Sequence, residues 1–573
     1  MSRITHKGDT LILEYDLFSL PTAQHKAGLA GLLLHLDSLR QRRVSPIPRA
    51  TVTGAQAEIE ITQDSLQALF DDLYDAEWQE VGRKKKLEER EDRKFKRIEI
   101  KKFEINGKKK TEKRFVYDEI TSKGRFIKDL FEDDRGLWVK LWRDMLWSTL
   151  RGIPQTRGVY KERALQQPSS LGEYFWKILT KAGSFQAKGK ILSEAISSSI
   201  FLGAEDKSSE RVPFRGAIAE NLLLHFWPIS SLIFVPRIYK LEKNRERNLK
   251  LTWQEKGYVL AIPVPFNLND FCQDFKEVAK SLDPAISGFR PRAALIDLAE
   301  EGGIEYLHHF VRQKIKDTEM SLSLAAVEIY HLEKTGNRIC QLGAERLIPR
   351  EDILKDYGKF RDRNANFLYK SLYLRNLLYG NSWHQDAENI FSCWPWPFFI
   401  YYRDKTPKEI RFFGRDVRKK LNDIASDLQL KKEEGLMSDR DQDNQLALRV
   451  NRIIKEYVNR RTEEKSKIKF KDFSQSKDDK GRIRYPEEYR KNRKRVCTDA
   501  FLDMHGRRDQ AFIEYFTGTI CSVPQFLPEA DFLMISQALA TDWSKIKALS
   551  MLALSAHSYL MDAIEEEKED KES

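Results

Sequence analysis

Two dense runs of lysine and arginine are the residues of this chain whose types and spacing point to chemistry, and that chemistry is recognition of a polyanion. From Arg83 to Arg114 there are 16 Lys/Arg against 7 Asp/Glu, a net of +9. From Arg449 to Arg508 there are 20 against 10, a net of +10. The 573-residue chain carries +12 in all, which leaves −7 for everything outside the two windows. Charge gathered in two places fits a phosphate backbone better than a uniformly basic surface does. A solvated face or a free arm is the alternative for either run taken alone.

Catalytic patterns do not emerge beside them. There is no GxxxxGK[ST] phosphate loop, GxGxxG, GxSxG or HExxH. His308 and His309 are adjacent, so on a helix their side chains diverge by about 100° and make a poor metal pair. Asp71-Asp72 and Asp133-Asp134 could contribute to a metal-dependent nuclease only with further convergent carboxylates; they read as surface acids. Cys272, Cys340, Cys393, Cys497 and Cys521 are scattered without a CxxC, against both a disulfide framework and a zinc ribbon. No cofactor and no metal is expected. The first residues lack a secretory pattern and no apolar run approaches the ~18–20 residues of a membrane span, so a cytoplasmic, non-membrane protein is expected.

The elements that must position the basic residues can be read from periodicity. KFKRIEIKKFEI and KRFVYD flank Asn106-Gly107, the strongest short signal for a hairpin turn. Ile98 and Ile100 share a face, and a one-residue bulge between them and Phe103/Ile105 would put those on it too. The expectation is a charged arm, Arg83 to Lys96, leading into a basic β-hairpin. Its candidate DNA contacts are Lys84, Lys85, Lys86, Lys94, Lys96, Arg97, Lys101, Lys102, Asn106, Lys108, Lys109, Lys110, Lys113 and Arg114. Leu11–Leu17 and Ala57–Ile61 read as strands, Pro21-Thr22 starts a helix, and residues 62–80 look helical. Leu137–Leu150 is a Trp-rich core helix. Ser231–Pro265 holds further strands around a polar turn, Asn244 to Asn248, and Ala326–Ile339 another strand and turn.

Beyond about residue 350 the apolar spacing becomes 3.6 throughout. The fold class is therefore α+β: a large mixed N-terminal domain, 1–350, with the basic hairpin, followed by a C-terminal α-helical bundle, 351–573. A Lys/Arg-rich stretch, 462–496, reads as a mobile loop or basic arm. In the second basic window Arg460, Arg461, Arg482, Arg484, Arg493, Arg495, Arg507 and Arg508 are the candidate contacts to a displaced strand or duplex. The aromatic cluster Trp383–Tyr402 reads as core or subunit interface ahead of a base-stacking platform.

Four stretches carry a resemblance. YDLFSLPTAQHKAGLAGLLL (Tyr15–Leu34), VEIYHLEKTGNRI, RDRNANFLYK (Arg361–Lys370) and EADFLMISQALA are similar to the large subunits of type I CRISPR Cascade complexes, I-B-like and of the Myxan branch. The first is the specific one. The resemblance implies a non-catalytic subunit that reads a protospacer-adjacent motif in target double-stranded DNA, helps open the duplex into an R-loop and helps recruit the helicase-nuclease. It implies as partners the guide RNA and the backbone, guide-end-binding and small subunits. Gln24 and Lys26, in the QHKAG segment, and Asn244 and Asn248 become motif-reading candidates; capping and packing is the plainer role for the first pair. A nuclease- or polymerase-like CRISPR subunit and a general RNA-binding scaffold remain as alternatives, although neither a Gly-Gly-Asp-Asp nor a His-Asp string occurs.

Related systems in which the small subunit arises from an internal start also direct attention to Met437. Lys432-Glu433-Glu434-Gly435 must be encoded by a purine-rich run just upstream of it, resembling a ribosome-binding site. A start there gives 437–573, about 15 kDa; a charged helix end closed by a C-cap glycine is the plain alternative.

Overall fold

The computed structural model describes the chain except residues 1, 106–107, 134, 152–156, 204–212, 244–248, 283–284, 315–322, 337, 362–364, 402–410, 435–438, 477–482, 523–527 and 561–573. It divides into a first unit, Met1–Ile238 with Trp253–Leu354, and a second, Tyr239–Thr252 with Lys355–Ser573. The first is mixed α and β and the second almost entirely helical, as the change of hydrophobic period implies.

The first unit opens with a four-stranded antiparallel sheet. Strands β1 (Arg3–Lys7), β2 (Thr10–Asp16), β3 (Arg49–Thr53) and β4 (Gln56–Ile61) lie in the order β1-β2-β4-β3. Leu11, Leu13 and Tyr15 alternate inward on β2 opposite Ile61, Ile59 and Ala57 on β4. The helix Ala23–Gln41 begins at the Thr22 cap, whose hydroxyl accepts the His25 amide. It is buried on nearly every side. Gly28 and Gly31 explain how: a Cβ there would lie 2.2 Å from the Leu223 carbonyl oxygen and 2.1 Å from that of Phe226. The AGLAG signature thus lets the helix backbone touch segment 223–226.

A second sheet places Leu249–Glu255, Leu232–Lys243, Tyr258–Pro265, Leu324–Thr335 and Arg338–Leu347 side by side. Tyr258–Pro265 is buried at all eight positions. Its prolines are tolerated because pairing with Leu232–Lys243 spans only Val259 to Ala261, so the proline end has one neighbour.

The third sheet contains the expected hairpin, with two corrections. Strand β6 (Arg93–Ile105) pairs with β7 (Lys108–Ser122) up to Ile105 opposite Lys108, on either side of Asn106-Gly107. The register shift lies at Lys96, between Phe95 and Arg97, not beyond Ile100. Ile98 and Ile100 lie beyond that shift, and the side chains of Phe103 and Ile105 lie outside the described residues. The helix expected over 62–80 ends at Leu73, and Ala76–Arg83 is a strand, β5, on the other side of β7. Burial of β7 at Val116, Tyr117 and Ile120 demands that third strand. Only residues 84–92 are left of the expected charged arm.

In the second unit, Trp543–Ser558 is the central helix, buried at every position from Ile546 to Ser558. Phe413–Glu434, Asp439–Ser466, Glu487–His505 and Glu529–Thr541 pack on it. Among its described residues the stretch expected as a loop or arm over 462–496 is mostly helical, since Tyr489, Val496 and Cys497 give Glu487–His505 a buried face. The aromatic segment packs inward as core: Phe391 meets Phe399 at 4.8 Å, and Phe399 meets Phe413 at 5.2 Å.

Candidate nucleic-acid interface

The basic hairpin is a ribbon of uneven charge. Strand β5 supports β7 only as far as Arg83 opposite Phe115, so residues 98–105 and 108–114 continue as two strands alone. At ~3.3 Å per residue that is a projection of roughly 23 Å. Within 76–122 there are 16 Lys/Arg and 11 Asp/Glu, a net of +5. Residues 101–114 alone hold seven Lys/Arg and two Glu, also +5. With Glu99 included the projecting part carries +4, so the supported base is close to neutral at +1 and most of the excess lies on the projecting part.

Side chains at the base show how the near-neutrality arises. The buried Glu119 carboxylate accepts from Arg83 at 2.5 Å and Arg93 at 2.8 Å. Glu80 accepts from Lys96 and, at 2.8 Å, from Arg97, which also reaches Glu99 at 2.6 Å. Those two cations hold the Glu80 carboxyl down to about 2. Lys84 and Arg114 share Glu112 at 3.0 and 2.9 Å. Lys94 sits over the Trp78 ring and Lys113 over Phe115. Lys85, Lys86 and Lys101 are exposed. Lys102, Lys108, Lys109 and Lys110 lie on the two strands next to the turn. Asn106 lies outside the described residues. Ile98 and Ile100, on one face of the ribbon, are 49% and 66% exposed.

The other candidates are dispersed. Gln24 is buried, its amide donating to the Leu202 carbonyl at 3.0 Å and its oxygen accepting the Leu202 amide at 2.8 Å. It is a packing residue here. Lys26 is half-buried in the first turn of its helix. Asn244, Asn248, Arg482 and Met437 lie outside the described residues. Arg493 is buried at 5% exposure, donating to the His557 carbonyl at 2.8 Å and to Asn459 Oδ1 at 2.6 Å. It closes the end of the central helix together with Arg418, which donates to the Ala556 and Tyr559 carbonyls. Arg507 stacks on Tyr515 at 4.8 Å. Arg461 pairs with Glu464 at 2.9 Å, and Arg460 is half-buried. Arg484, Arg495 and Arg508 are exposed. The second window therefore divides between structural and surface arginines.

Of the acids and histidines set aside in the sequence, Asp134 lies outside the described residues, Asp133 and His309 are structural, and the reading of Asp72 is corrected. Asp72 is not a surface acid: it takes both Arg42 terminal nitrogens, at 2.6 and 2.7 Å, and His35 approaches to 3.4 Å. Asp133 accepts the Trp138 amide at 2.7 Å. His309 pairs with Glu305 at 3.3 Å. Among the described residues no group of three or more His, Cys, Asp or Glu could hold a metal, and no helix is long and apolar enough to cross a membrane. Sequence reasoning missed Glu119, whose burial follows only from the third strand, and the exposed Ile98/Ile100 pair, which alternation alone reads as core.

Comparison with known proteins agrees with the resemblance carried by the four stretches. None of the curated proteins matches the chain. The family model of the type I-B CRISPR Cas8b N-terminal domain matches residues 47–320, and that of the Cas8b C-terminal domain matches 324–557. The two meet where the strand Leu324–Thr335 begins, inside the first unit. With nearly the whole chain matched, the protein belongs to the type I-B CRISPR Cas8b family, the large subunits of the Cascade complex.

Proposed function

We propose that this large subunit, without catalysing a reaction itself, recognises the protospacer-adjacent motif in target duplex DNA, promotes strand opening and helps recruit the helicase-nuclease. The guide RNA and the backbone, guide-end-binding and small subunits are its partners. The observation that carries the reading is the projecting ribbon with most of its sheet's net charge beyond the third strand. A two-stranded ribbon fits the major groove of B-DNA. Lysines there supply sequence-independent phosphate contacts, each adding salt-dependent affinity. Exposed Ile98 and Ile100 are of the kind that wedges between base pairs, offsetting stacking of roughly 1.4 kcal/mol per step. The DNA-contacting set on this reading is Lys101, Lys102, Lys108, Lys109, Lys110 and Lys113, with Arg484, Arg495 and Arg508 as contacts to a displaced strand.

The test uses the assembled complex. This chain is expressed with its partner subunits and a guide RNA, with and without Lys108, Lys109 and Lys110 changed to Ala, and binding to target duplex is measured with and without the adjacent motif. Motif-dependent binding that falls in the triple variant supports the reading. Failure of the chain to join any RNA-containing complex, or binding indifferent to the variant, overturns it.

The segment 437–573 is proposed as a separately translated small subunit as well. A product starting at Met437 lacks Phe413–Glu434, and with it the Arg418 contacts to the central helix. It therefore needs a partner to cover that side. Replacing Met437 with a codon that cannot initiate removes a ~15 kDa product seen by mass spectrometry; persistence of the product, or its absence from the unmodified strain, ends the idea.

A further inference from the structure

The first unit holds a cavity of about 230 Å³ that the hairpin reading does not use. Its wall and floor come from distant parts of the sequence: Tyr74, Arg151, Phe175, Ile218, Asn221 and His225. Arg151 is 6% exposed. Its guanidinium donates to the carbonyls of Ser199 and Leu150 and, at 3.2 Å, to the Tyr74 hydroxyl. It lies over the rings of Tyr74 and Tyr160, at 5.8 and 5.9 Å. Among the described residues no carboxylate pairs with it. His225 offers no compensating charge: burial, and then Arg151 itself, push the imidazole down to about 3, and its Nδ1 meets the Tyr74 hydroxyl at 2.6 Å.

A buried cation held only by neutral oxygens and rings is unusual, because the desolvation penalty is ordinarily offset by an opposite charge. Asn221 adds a second unmet demand. It is 7% exposed, its Nδ2 donates to the Gly216 carbonyl at 3.3 Å, and its Oδ1 is buried without a hydrogen-bond partner. Between these polar groups Ile178, Ile196 and Ile200 lie beside Phe175, and at the mouth the Glu194 carboxylate accepts from the Tyr174 hydroxyl. Tyr174, Ala195 and Ser197 are exposed at the rim.

A fixed cation and an aromatic wall in one cavity call for a ligand that is anionic at one end and flat at the other. We propose that this cavity binds a single nucleotide, its phosphate at Arg151 and its base along Phe175 and Tyr174. Stacking on aromatic rings and hydrogen bonds to the base edge are how single-stranded or extruded nucleotides are held. The source is either a free nucleotide or one turned out of the bound nucleic acid.

The proposal is independent of the hairpin: the Lys108/Lys109/Lys110 variant leaves it untouched, so the two can fail separately. The purified full chain is titrated calorimetrically with AMP, GMP, CMP, UMP and inorganic phosphate. At least one nucleotide is expected to bind with a Kd of about 1 mM or tighter, and phosphate alone more weakly. Arg151→Met should weaken binding at least about tenfold. Because Arg151 also ties down Leu150 and Ser199, the deciding variant is Ala195→Trp, which fills the mouth from an exposed position and leaves the hydrogen bonds of the floor in place. The same variant in the complex with guide RNA and target separates the sources: newly exposed reactivity of one nucleotide to chemical probing marks an extruded nucleotide, and unchanged probing with lost AMP-type binding marks a free one. No nucleotide binding by the unmodified chain, phosphate binding as tight as any nucleotide, or nucleotide binding indifferent to Ala195→Trp overturns the proposal.

Discussion

The two basic windows have nearly the same composition and opposite fates. In the hairpin, acids on β5 and β7 and in the segment 84–92 nearly neutralise the supported base and leave most of the excess on the projecting ribbon. In the C-terminal helices there is no such separation along the chain. Arg493 turns inward to cap carbonyls of a buried helix, while Arg495, two residues on, is 74% exposed. A strand sorts charge by distance from its neighbours, whereas a helix sorts it by angle. Net charge over a window therefore says that a polyanion can be bound but not by which side chains.

The largest expected effect tests the inward half of that contrast. Arg493→Ala removes two hydrogen bonds from a buried cation and should cost on the order of 3 kcal/mol in denaturant unfolding of the full chain. A loss below about 1 kcal/mol would erase the distinction drawn between Arg493 and its neighbours. Next, the Lys108/Lys109/Lys110 variant should weaken target binding by the complex at least about tenfold at physiological salt and flatten its salt dependence by up to about 2.7 in log–log slope. An unchanged slope would place the DNA elsewhere.

A pH experiment sharpens the comparison further. His557 is held well below its ordinary value, first by burial and then by Arg493, Arg418 and Lys455. Its folded-state pKa lies below the unfolded one, so its contribution to stability is present above about pH 6.5 and is lost as pH falls toward the folded value. His557→Gln should flatten the decline in unfolding midpoint between pH 7 and pH 5; an equally steep decline would clear His557 of the effect. The smallest changes are expected at paired or exposed cations. Arg495→Ala should alter stability by less than about 0.5 kcal/mol. Arg97→Ala, which only releases Glu80 and Glu99, should leave the salt slope of DNA binding within about one unit.

How much of this could be read in the sequence depended on whether the signal was local. Asn106-Gly107 between alternating residues located the hairpin because turn chemistry needs only two neighbours. The change to helical period near residue 350 was legible for the same reason. Strand β5 was not, because Leu66, Leu69, Phe70 and Leu73 make a strong helical stripe that runs on by eye into Ala76 and Trp78. The glycines of AGLAG announce close packing, yet nothing in the sequence says that segment 223–226 is what they meet. Arg493 stands among Arg490, Lys491, Lys494 and Arg495 as one more surface charge until the central helix is in place. The Arg151 cavity had no sequence signal at all, since Tyr74, Arg151, Asn221 and His225 meet only through long-range packing.

The position of the central helix has a consequence for synthesis. Residues 543–558 form the axle on which the other long helices of the second unit pack. A nascent chain that has completed the first unit at Leu354 must still extend by roughly 200 residues before the axle leaves the exit tunnel, about 10 to 40 s at bacterial elongation rates. Until then the faces of Phe413–Glu434 and Asp439–Ser466 that pack on the axle have nothing to cover them. The bundle is thus a natural client for chaperones on the ribosome, and a chain that stops short of residue 558 is left with a finished first half and an uncollapsed second.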